Sequence, residues 1–449
     1  MNHESHGERI RILLVLLSAG WSPAAGGATL RVPSEHATIQ AAVSQALPGD
    51  TVLVTPGVYT STGGPVVDFH GKDIVLRSEA GSEQTIIDSQ EVDGSHGVIM
   101  REGETRGAIV EGFTIRGAMN ASGVFLGGSS PLIRSCIMTL NSAEGTTVGG
   151  GAVLFHASPL FEDCTISQND GGGVYVQGGS AEFVRCRIVQ NIYCGVWCEE
   201  ATLVRLRECV IEANQSSTWG HGGGVWGYQS HIVIENSVVA RNRAAYGAGI
   251  GVGLGCHLDI DGSTITGNTA AHSGGGIYAD PSSVTIRNSI LRDNCADGPH
   301  DLLTRGSVVI ECSAIQRDQM ESEGGSTIVV IGVQVPDDPR FCEAWTCLTG
   351  TPLPGGDYHL RSDSPCLPQF SPCGELIGAL GEGCATPGLV GACCLSDGAC
   401  VLCTNAACVT AGGWYQGGGV GCYPGPCVPT QIETTSWGRV KKTYRLGTR

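Results

Sequence analysis

Lysine is almost missing from this chain. Its 449 residues include three, Lys72, Lys441 and Lys442, so nothing between residues 73 and 440 carries an amine side chain. That removes from the body of the protein the side chain most readily tuned into a base or a Schiff-base nucleophile. Charge is scarce overall, at 15% of residues, and the net charge is −17. An acidic body excludes nucleic acid as a partner; a cationic ligand or calcium is permitted but not demanded, and no cofactor is called for. Long apolar runs are lacking too. The run at residues 12–17 is too short to span a bilayer, and no later stretch could, so no transmembrane span is expected. Aspartate is absent between Asp170 and Asp259. A hydrolase that needs clustered Asp carboxylates for acid and base work has none there.

What is abundant is glycine, with 68 residues, and cysteine, with 21. The glycines fall beside a repeat. Its copies read Cys136-Ile-Met-Thr-Leu-Asn141, Cys164-Thr-Ile-Ser-Gln-Asn169, Cys186-Arg-Ile-Val-Gln-Asn191, Cys209-Val-Ile-Glu-Ala-Asn214, Ser237-Val-Val-Ala-Arg-Asn242, Ser263-Thr-Ile-Thr-Gly-Asn268 and Ser289-Ile-Leu-Arg-Asp-Asn294. The steps from Asn to Asn are 28, 22, 23, 28, 26 and 26 residues. A period in the twenties with strand-like content is that of a solenoid whose coils cannot bury their apolar faces alone.

Each coil carries three short apolar-alternating runs, such as Val174-Tyr-Val176, Ala181-Glu-Phe183 and Cys186-Arg-Ile188. Alternation turns Val174, Val176, Ala181, Phe183, Cys186 and Ile188 inward. The first inward column comprises Val124, Ala152, Val174, Val196, Val225, Ile250 and Ile277. Stacked Asn amides are expected to form a ladder from coil to coil. Cys136, Cys164, Cys186 and Cys209 share one inward column, continued by Ser237, Ser263 and Ser289, and are expected to be buried thiols acting as small hydrophobes. Cys194 and Cys198 are open to either a disulfide or a free thiol.

The residue after the first inward position faces outward. Coil by coil it is Phe125, Val153, Tyr175, Trp197, Trp226, Gly251 and Tyr278, five of seven being aromatic. Two positions further lie Gln177, Glu199, Tyr228 and Asp280. Rings at coil spacing suit a glycan lying along the solenoid; the same rings could instead support one another as a strand-stabilising ladder. The candidate carbohydrate-binding set is Phe125, Tyr175, Gln177, Trp197, Glu199, Trp226, Tyr228 and Tyr278. No catalytic residue and no metal ligand is assigned. Glu199 and Glu200 point to opposite sides of a strand, and Asp280 is three coils from Glu199, too far for two-carboxylate hydrolysis. A β-eliminating lyase wants Lys or Arg as base, yet Arg185, Arg187, Arg205 and Arg207 fall on other strands and turns. A Tyr/His mechanism would use His221 and Tyr228.

Several boundaries follow. Residues 1–28 have the basic, apolar, small-residue order of a secretory signal. Residues 38–46 form a short capping helix with Thr38 as N-cap. The parallel β-helix is expected over residues 29–320, closing coils and a C-terminal cap over 321–386, a Cys-rich module over 387–428, and a basic tail over 429–449. The module holds Cys393, Cys394, Cys400, Cys403, Cys408, Cys422 and Cys427. An exported context favours disulfides there over a zinc site at Cys400 and Cys403.

The stretch Ala37-Thr-Ile-Gln-Ala-Ala-Val43, with Pro48-Gly-Asp-Thr-Val-Leu-Val54 and Pro56-Gly-Val-Tyr59, resembles the entry to right-handed parallel β-helix proteins of the pectin-lyase-like superfamily. The coils resemble that superfamily's repeat. Asp357-Tyr-His-Leu360, Ser364-Pro-Cys366 and Ile377-Gly-Ala379 resemble the closing segment of exported bacterial β-helix proteins, and Gly391-Ala-Cys-Cys-Leu-Ser-Asp-Gly398 a small Cys-rich unit appended to them. The resemblance implies an all-β right-handed parallel β-helix. It does not single out an activity, because the superfamily spans lyases, hydrolases, esterases, epimerases and adhesins. Gly220-His-Gly222 is similar to the Gly-His-Gly of polygalacturonases but lacks the accompanying Asp residues, and the pectin methylesterase motifs are missing. The expectation is a secreted, periplasmic or cell-surface monomer that binds extended polysaccharide or cell-surface glycan without catalysis. A lyase or epimerase in the same groove and a structural adhesin are the alternatives.

Overall fold

The computed structural model describes residues 27–61, 63–143, 149–216, 220–335, 338–343, 352 and 354–384, and in the Cys-rich part 391–395, 399–403, 408–409, 411–418 and 422. The expected signal (all but its last two residues), the basic tail, Cys427, Lys441 and Lys442 lie outside the described residues.

The solenoid opens on the helix Ile39–Gln45. The Thr38 side chain accepts the Ala41 N–H, and Ile39, Ala42 and Val43 are buried. This apolar face covers the end of the first coil, which has no preceding neighbour to shield it.

From Thr29–Val32 to Thr327–Ile331 the strands pair in parallel from coil to coil, giving three long sheets of 13, 11 and 11 strands and a two-stranded sheet of Arg243–Tyr246 with Thr269–Ser273. The chain is thus an all-β right-handed parallel solenoid. In one coil the first strand is Val174–Gln177, the second Ser180–Val184 and the third Arg187–Val189. The three sheets are named here by that order. Cys186 sits at the corner before the third strand rather than in it, one residue away from the sequence expectation.

The inward columns are as expected. Val124, Ala152, Val174, Val196, Val225, Ile250 and Ile277 are all buried, and Phe161 stacks on Phe183 with centroids 5.0 Å apart. Two corners of each coil are turned by a single left-handed residue, usually not glycine. Ser135, Asp163, Arg185 and Glu208 (φ 52° to 56°) precede the Cys column, and Leu140, Gln168, Gln190 and Ala213 (φ 56° to 57°) precede the Asn column. A side chain in this region is strained, so the stack must impose the conformation that the residue alone does not favour.

The two corner columns are continuous ladders. Each Asn amide donates Nδ2–H to the Oδ1 of the next, from Asn141 to Asn169 (3.0 Å) through Asn268 to Asn294 (2.9 Å). In the other column the Cys136 thiol donates to the Arg134 carbonyl (3.3 Å), and the Ser237 hydroxyl makes the same bond to Glu235 (2.8 Å). Serine thus replaces cysteine without changing the corner. The four thiols are free and buried, packed as small hydrophobes, and burial pushes Cys136 up to about 12 and raises Cys164 and Cys209. Cys194 and Cys198 are also free and buried.

The glycines preceding the first strand have a steric cause. A Cβ on Gly195 would lie 2.5 Å from the Gly224 carbonyl oxygen and 2.9 Å from Asn214 Nδ2. The Asn ladder and the next coil occupy the space a side chain would need.

Beyond the coils, the closing segment does not simply lid the end. Tyr358, Leu360, Cys366, Leu367, Ile377, Ala379 and Leu380 form a second core with Val238, Ala240, Ile290 and Ala314, on the outer face of the third-strand sheet. The Ala379 N–H donates to Thr264 Oγ1 (3.0 Å), and Gly378 N–H to the Asn288 carbonyl (2.8 Å). Glu212, buried under this segment, accepts from Tyr358 Oη (2.7 Å) and from Gly355 N–H (3.0 Å). Removing one partner of a buried charged acceptor typically costs about 1–3 kcal/mol. Tyr358→Phe should therefore lower the unfolding free energy by that order, seen as an earlier midpoint of chemical unfolding; an unchanged midpoint would mean the segment is held without this bond.

Disulfides join Cys312 to Cys373, Cys342 to Cys384, Cys393 to Cys408 and Cys400 to Cys422. Cys400 is therefore bridged, in line with the disulfide reading of the module. These bridges suit an oxidising compartment. No helix among the described residues is long and apolar enough to cross a membrane.

Candidate functional site

The first-strand sheet carries two outward columns fixed by register. One runs Phe125, Val153, Tyr175, Trp197, Trp226, Gly251, Tyr278; the other runs Gly127, Phe155, Gln177, Glu199, Tyr228, Gly253, Asp280. All eight residues expected from sequence lie on this one face.

Their exposure is uneven. Tyr175 and Tyr278 are buried, at 8% and 6%, while Phe125, Trp197 and Trp226 are half-buried. Rings from the neighbouring turns cover the column. Tyr193 stacks on Trp197 (5.7 Å, 5°), and His221 stacks on Trp226 (4.9 Å), Tyr246 (5.3 Å) and Tyr278 (5.7 Å). The outward aromatic column is therefore arranged as two partly covered clusters. Strand alternation sets which way a ring leaves the sheet, but not what the following turn lays over it.

Phe155 fills the gap left by Val153. It sits in the second column, yet its ring lies edge-on between Phe125 (5.8 Å) and Tyr175 (5.9 Å). Edge-to-face contact continues from Tyr175 to Trp197 (5.9 Å, 89°). Gly251 is likewise no gap. A Cβ there would lie 2.8 Å from Trp226 Cε3, and one on Gly253 would lie 3.2 Å from Trp226 Cη2. The indole rests across the next strand, and the two glycines make its seat.

The polar residues are already engaged. Tyr175 donates Oη–H to Glu199 Oε2 (2.8 Å). Burial, then the neighbouring Glu199, pushes the Tyr175 phenol far above its ordinary range. Tyr278 donates to Asp280 Oδ2 (3.1 Å), and Arg305 Nη1 reaches both Asp280 Oδ2 (3.1 Å) and Tyr278 Oη (3.2 Å). Arg305 Nε also donates to Glu323 (2.9 Å). Burial and Asp280 push Tyr278 up to about 12. Neither phenol can supply a phenolate near neutral pH. Burial lowers His221, leaving a neutral imidazole. Glu199 and Asp280 are three strand steps apart in register, roughly 14 Å, beyond two-carboxylate chemistry.

Sequence reading missed Phe155, Tyr193, His221 as a stacking ring, Tyr246 and Arg305. Phe155 was visible as an aromatic two residues along its strand. The turn residues carry no periodic signal, and Arg305 joins Asp280 only through coil-to-coil register.

Away from this face, His231, His257 and Asp259 come together on the outer side of the second-strand sheet. The sequence reading assigned no metal ligand, since 26 residues separate the two imidazoles and only register brings them together.

Residues 96–265 match the family described as the right-handed β-helix region. No curated protein matches the chain. Among solved structures, the crystal structure of pectate lyase Pel9A is similar at 14% identity and a TM-score of 0.42, covering 77% of this chain and 91% of that one. A likeness this distant carries nothing about activity. By its coils the chain is a right-handed parallel β-helix in fold, and the family match covers residues 96–265 of it.

Proposed function

We propose that this is an exported or surface protein that binds extended polysaccharide along the first-strand face, without catalysis. One observation carries the reading: seven rings, Phe125, Phe155, Tyr175, Trp197, Trp226, Tyr228 and Tyr278, leave the same face of one sheet in consecutive or near-consecutive coils. Strand spacing of about 4.8 Å puts roughly one sugar-length of surface on each coil. The most accessible part is around Trp197, where Tyr193 is 40% exposed and Gln177 and Glu199 flank the rings. Stacking needs no cofactor, and calcium has no assigned role. A single chain offers the whole face, so a monomer suffices.

A second reading, a lyase or epimerase in the same groove, is favoured by Arg305 beside Asp280 and Tyr278. A guanidinium there would neutralise a uronate carboxylate. Against it, Arg305 is already paired with two carboxylates.

The test is co-sedimentation and calorimetry with neutral and uronic-acid polysaccharides, while following absorbance from new unsaturated ends. Binding without product is expected. Truncating a central aromatic anchor typically costs about 2 kcal/mol or more, so Trp197→Ala should weaken binding by more than about tenfold. Unsaturated ends lost in Arg305→Ala would establish the lyase instead. No binding to any polymer would leave the rings as a ladder that stabilises strands.

A further inference from the structure

We propose that His231, His257 and Asp259 form a binding site for a divalent transition ion of the zinc class. The site lies on the outer face of the second-strand sheet, away from the aromatic columns.

The register builds it. His231 and His257 are direct partners on adjacent strands, and Asp259 is two residues beyond His257 on the same face. Their ligand atoms converge. Asp259 Oδ2 is 3.1 Å from His231 Nε2 and 3.4 Å from His257 Nε2. In a tetrahedral zinc site with bonds of about 2.0–2.1 Å, neighbouring ligand atoms are about 3.3 Å apart. Both spacings are close to that edge length and all three ligand atoms lie within 4.8 Å of one another, so side-chain adjustment would bring them around one ion.

A second residue orients the ring. His257 Nδ1 is 2.5 Å from Ser283 Oγ, and the Ser283 hydroxyl donates onward to the Cys256 carbonyl (3.5 Å). With its hydroxyl turned to that carbonyl, Ser283 would accept from Nδ1–H and leave the Nε2 lone pair towards Asp259, the arrangement by which outer-shell partners hold a metal-binding imidazole. With no cation present, a lone pair and a carboxylate oxygen would face each other at 3.4 Å. The adjacent outward positions are occupied by Val233 opposite Asp259 and Thr285 beyond it, and Arg287, the basic residue further along the flanking strand, is paired with Glu311 (3.3 Å).

The donor set selects the ion. Two imidazole nitrogens and one carboxylate suit zinc, copper or nickel, whereas calcium and magnesium want oxygen. The side chains are 40%, 50% and 31% exposed, so water can complete the coordination shell. Because the ligands come from two consecutive coils, the ion would also tie those coils together.

The test is titration of the purified full chain, disulfides intact, with Zn²⁺ and with Co²⁺, followed by calorimetry and the visible spectrum of cobalt. One saturable equivalent is expected, with ligand-field bands of nitrogen and oxygen donors, no thiolate charge transfer, and a raised thermal midpoint with Zn²⁺. Asp259→Asn and His257→Gln should each weaken binding by at least about tenfold, as even loss of an outer-shell partner can. Glu235→Gln, on the same face but outside the cluster, should not. Circular dichroism checks that each variant keeps its sheets. Absence of a saturable equivalent, thiolate bands, or binding untouched by both substitutions would overturn the proposal. The first of those outcomes would leave a carboxylate placed between two imidazoles with no ion-binding role.

Discussion

Asn191→Ala should lower the unfolding free energy by about 4 kcal/mol, far more than most single substitutions. Asn191 is 1% exposed and uses every hydrogen-bonding capacity of its amide. Its Nδ2 donates to the Ile166 carbonyl (3.0 Å) and to Asn214 Oδ1 (2.9 Å). Its Oδ1 accepts from the Asn169 backbone N–H (3.1 Å) and from Asn169 Nδ2 (3.0 Å). Alanine leaves those partners, in the coils on either side, without the bonds, in a place water does not reach. Each buried group left unmade costs roughly 1–3 kcal/mol, with some recovery by relaxation. The loss falls on the contact between neighbouring coils, which is the term that holds a solenoid together. Chemical unfolding followed through the tryptophan fluorescence of Trp197 and Trp226 reads it. Gln177→Ala, on the outward face, should stay within about 0.5 kcal/mol. If the two variants unfold alike, the ladder contributes nothing beyond the strands.

The same requirement explains what could be seen in the sequence. A buried amide that both donates to and accepts from its neighbours admits no other residue type, so the seven Asn residues stand out as a period. The inward columns were legible because alternation is strict where one face is fully dry. The left-handed corner residues were not. Glycine would have marked them, but Ser135, Asp163, Arg185 and Glu208 are forced into that region by the coils around them. The candidate face was legible as a direction and not as a surface. Trp197 and Trp226 follow the strand period, whereas Tyr193, His221 and Tyr246 come from turns whose length varies between coils. Where residues 358–380 pack along the third-strand sheet was not legible, because it depends on contacts more than a hundred residues apart, such as Ala379 with Thr264.

Asp301→Asn should abolish a pH dependence that is built into the end of the Asn ladder. The last amide, Asn294, donates Nδ2–H to Asp301 Oδ1 (2.9 Å), and its backbone N–H goes to the same oxygen (3.2 Å). A carboxylate thus ends a column otherwise made of neutral amides, and it is 2% exposed. Burial raises Asp301 from 3.8 to about 7, despite the two bonds from Asn294, which favour the charged form. A folded-state value above the unfolded one means that the folded chain holds the proton more tightly. The associated stability is fully present below pH 3.8 and is lost as pH rises through about 7. Tighter proton binding over that range is worth about 4 kcal/mol. Asparagine keeps the Oδ1 acceptor for Asn294 and has no charge to bury. Compared with wild type, Asp301→Asn should therefore be more stable at pH 8, by up to that amount, and no more stable at pH 4. Other titrating groups contribute to both curves, so the quantity to follow is the difference in thermal midpoint between the two proteins from pH 4 to pH 8. A difference that widens with pH, most steeply near neutrality, is the expected result. Parallel curves would mean that the carboxylate is solvated in the folded chain, and that the ladder ends at Asn294 rather than at Asp301.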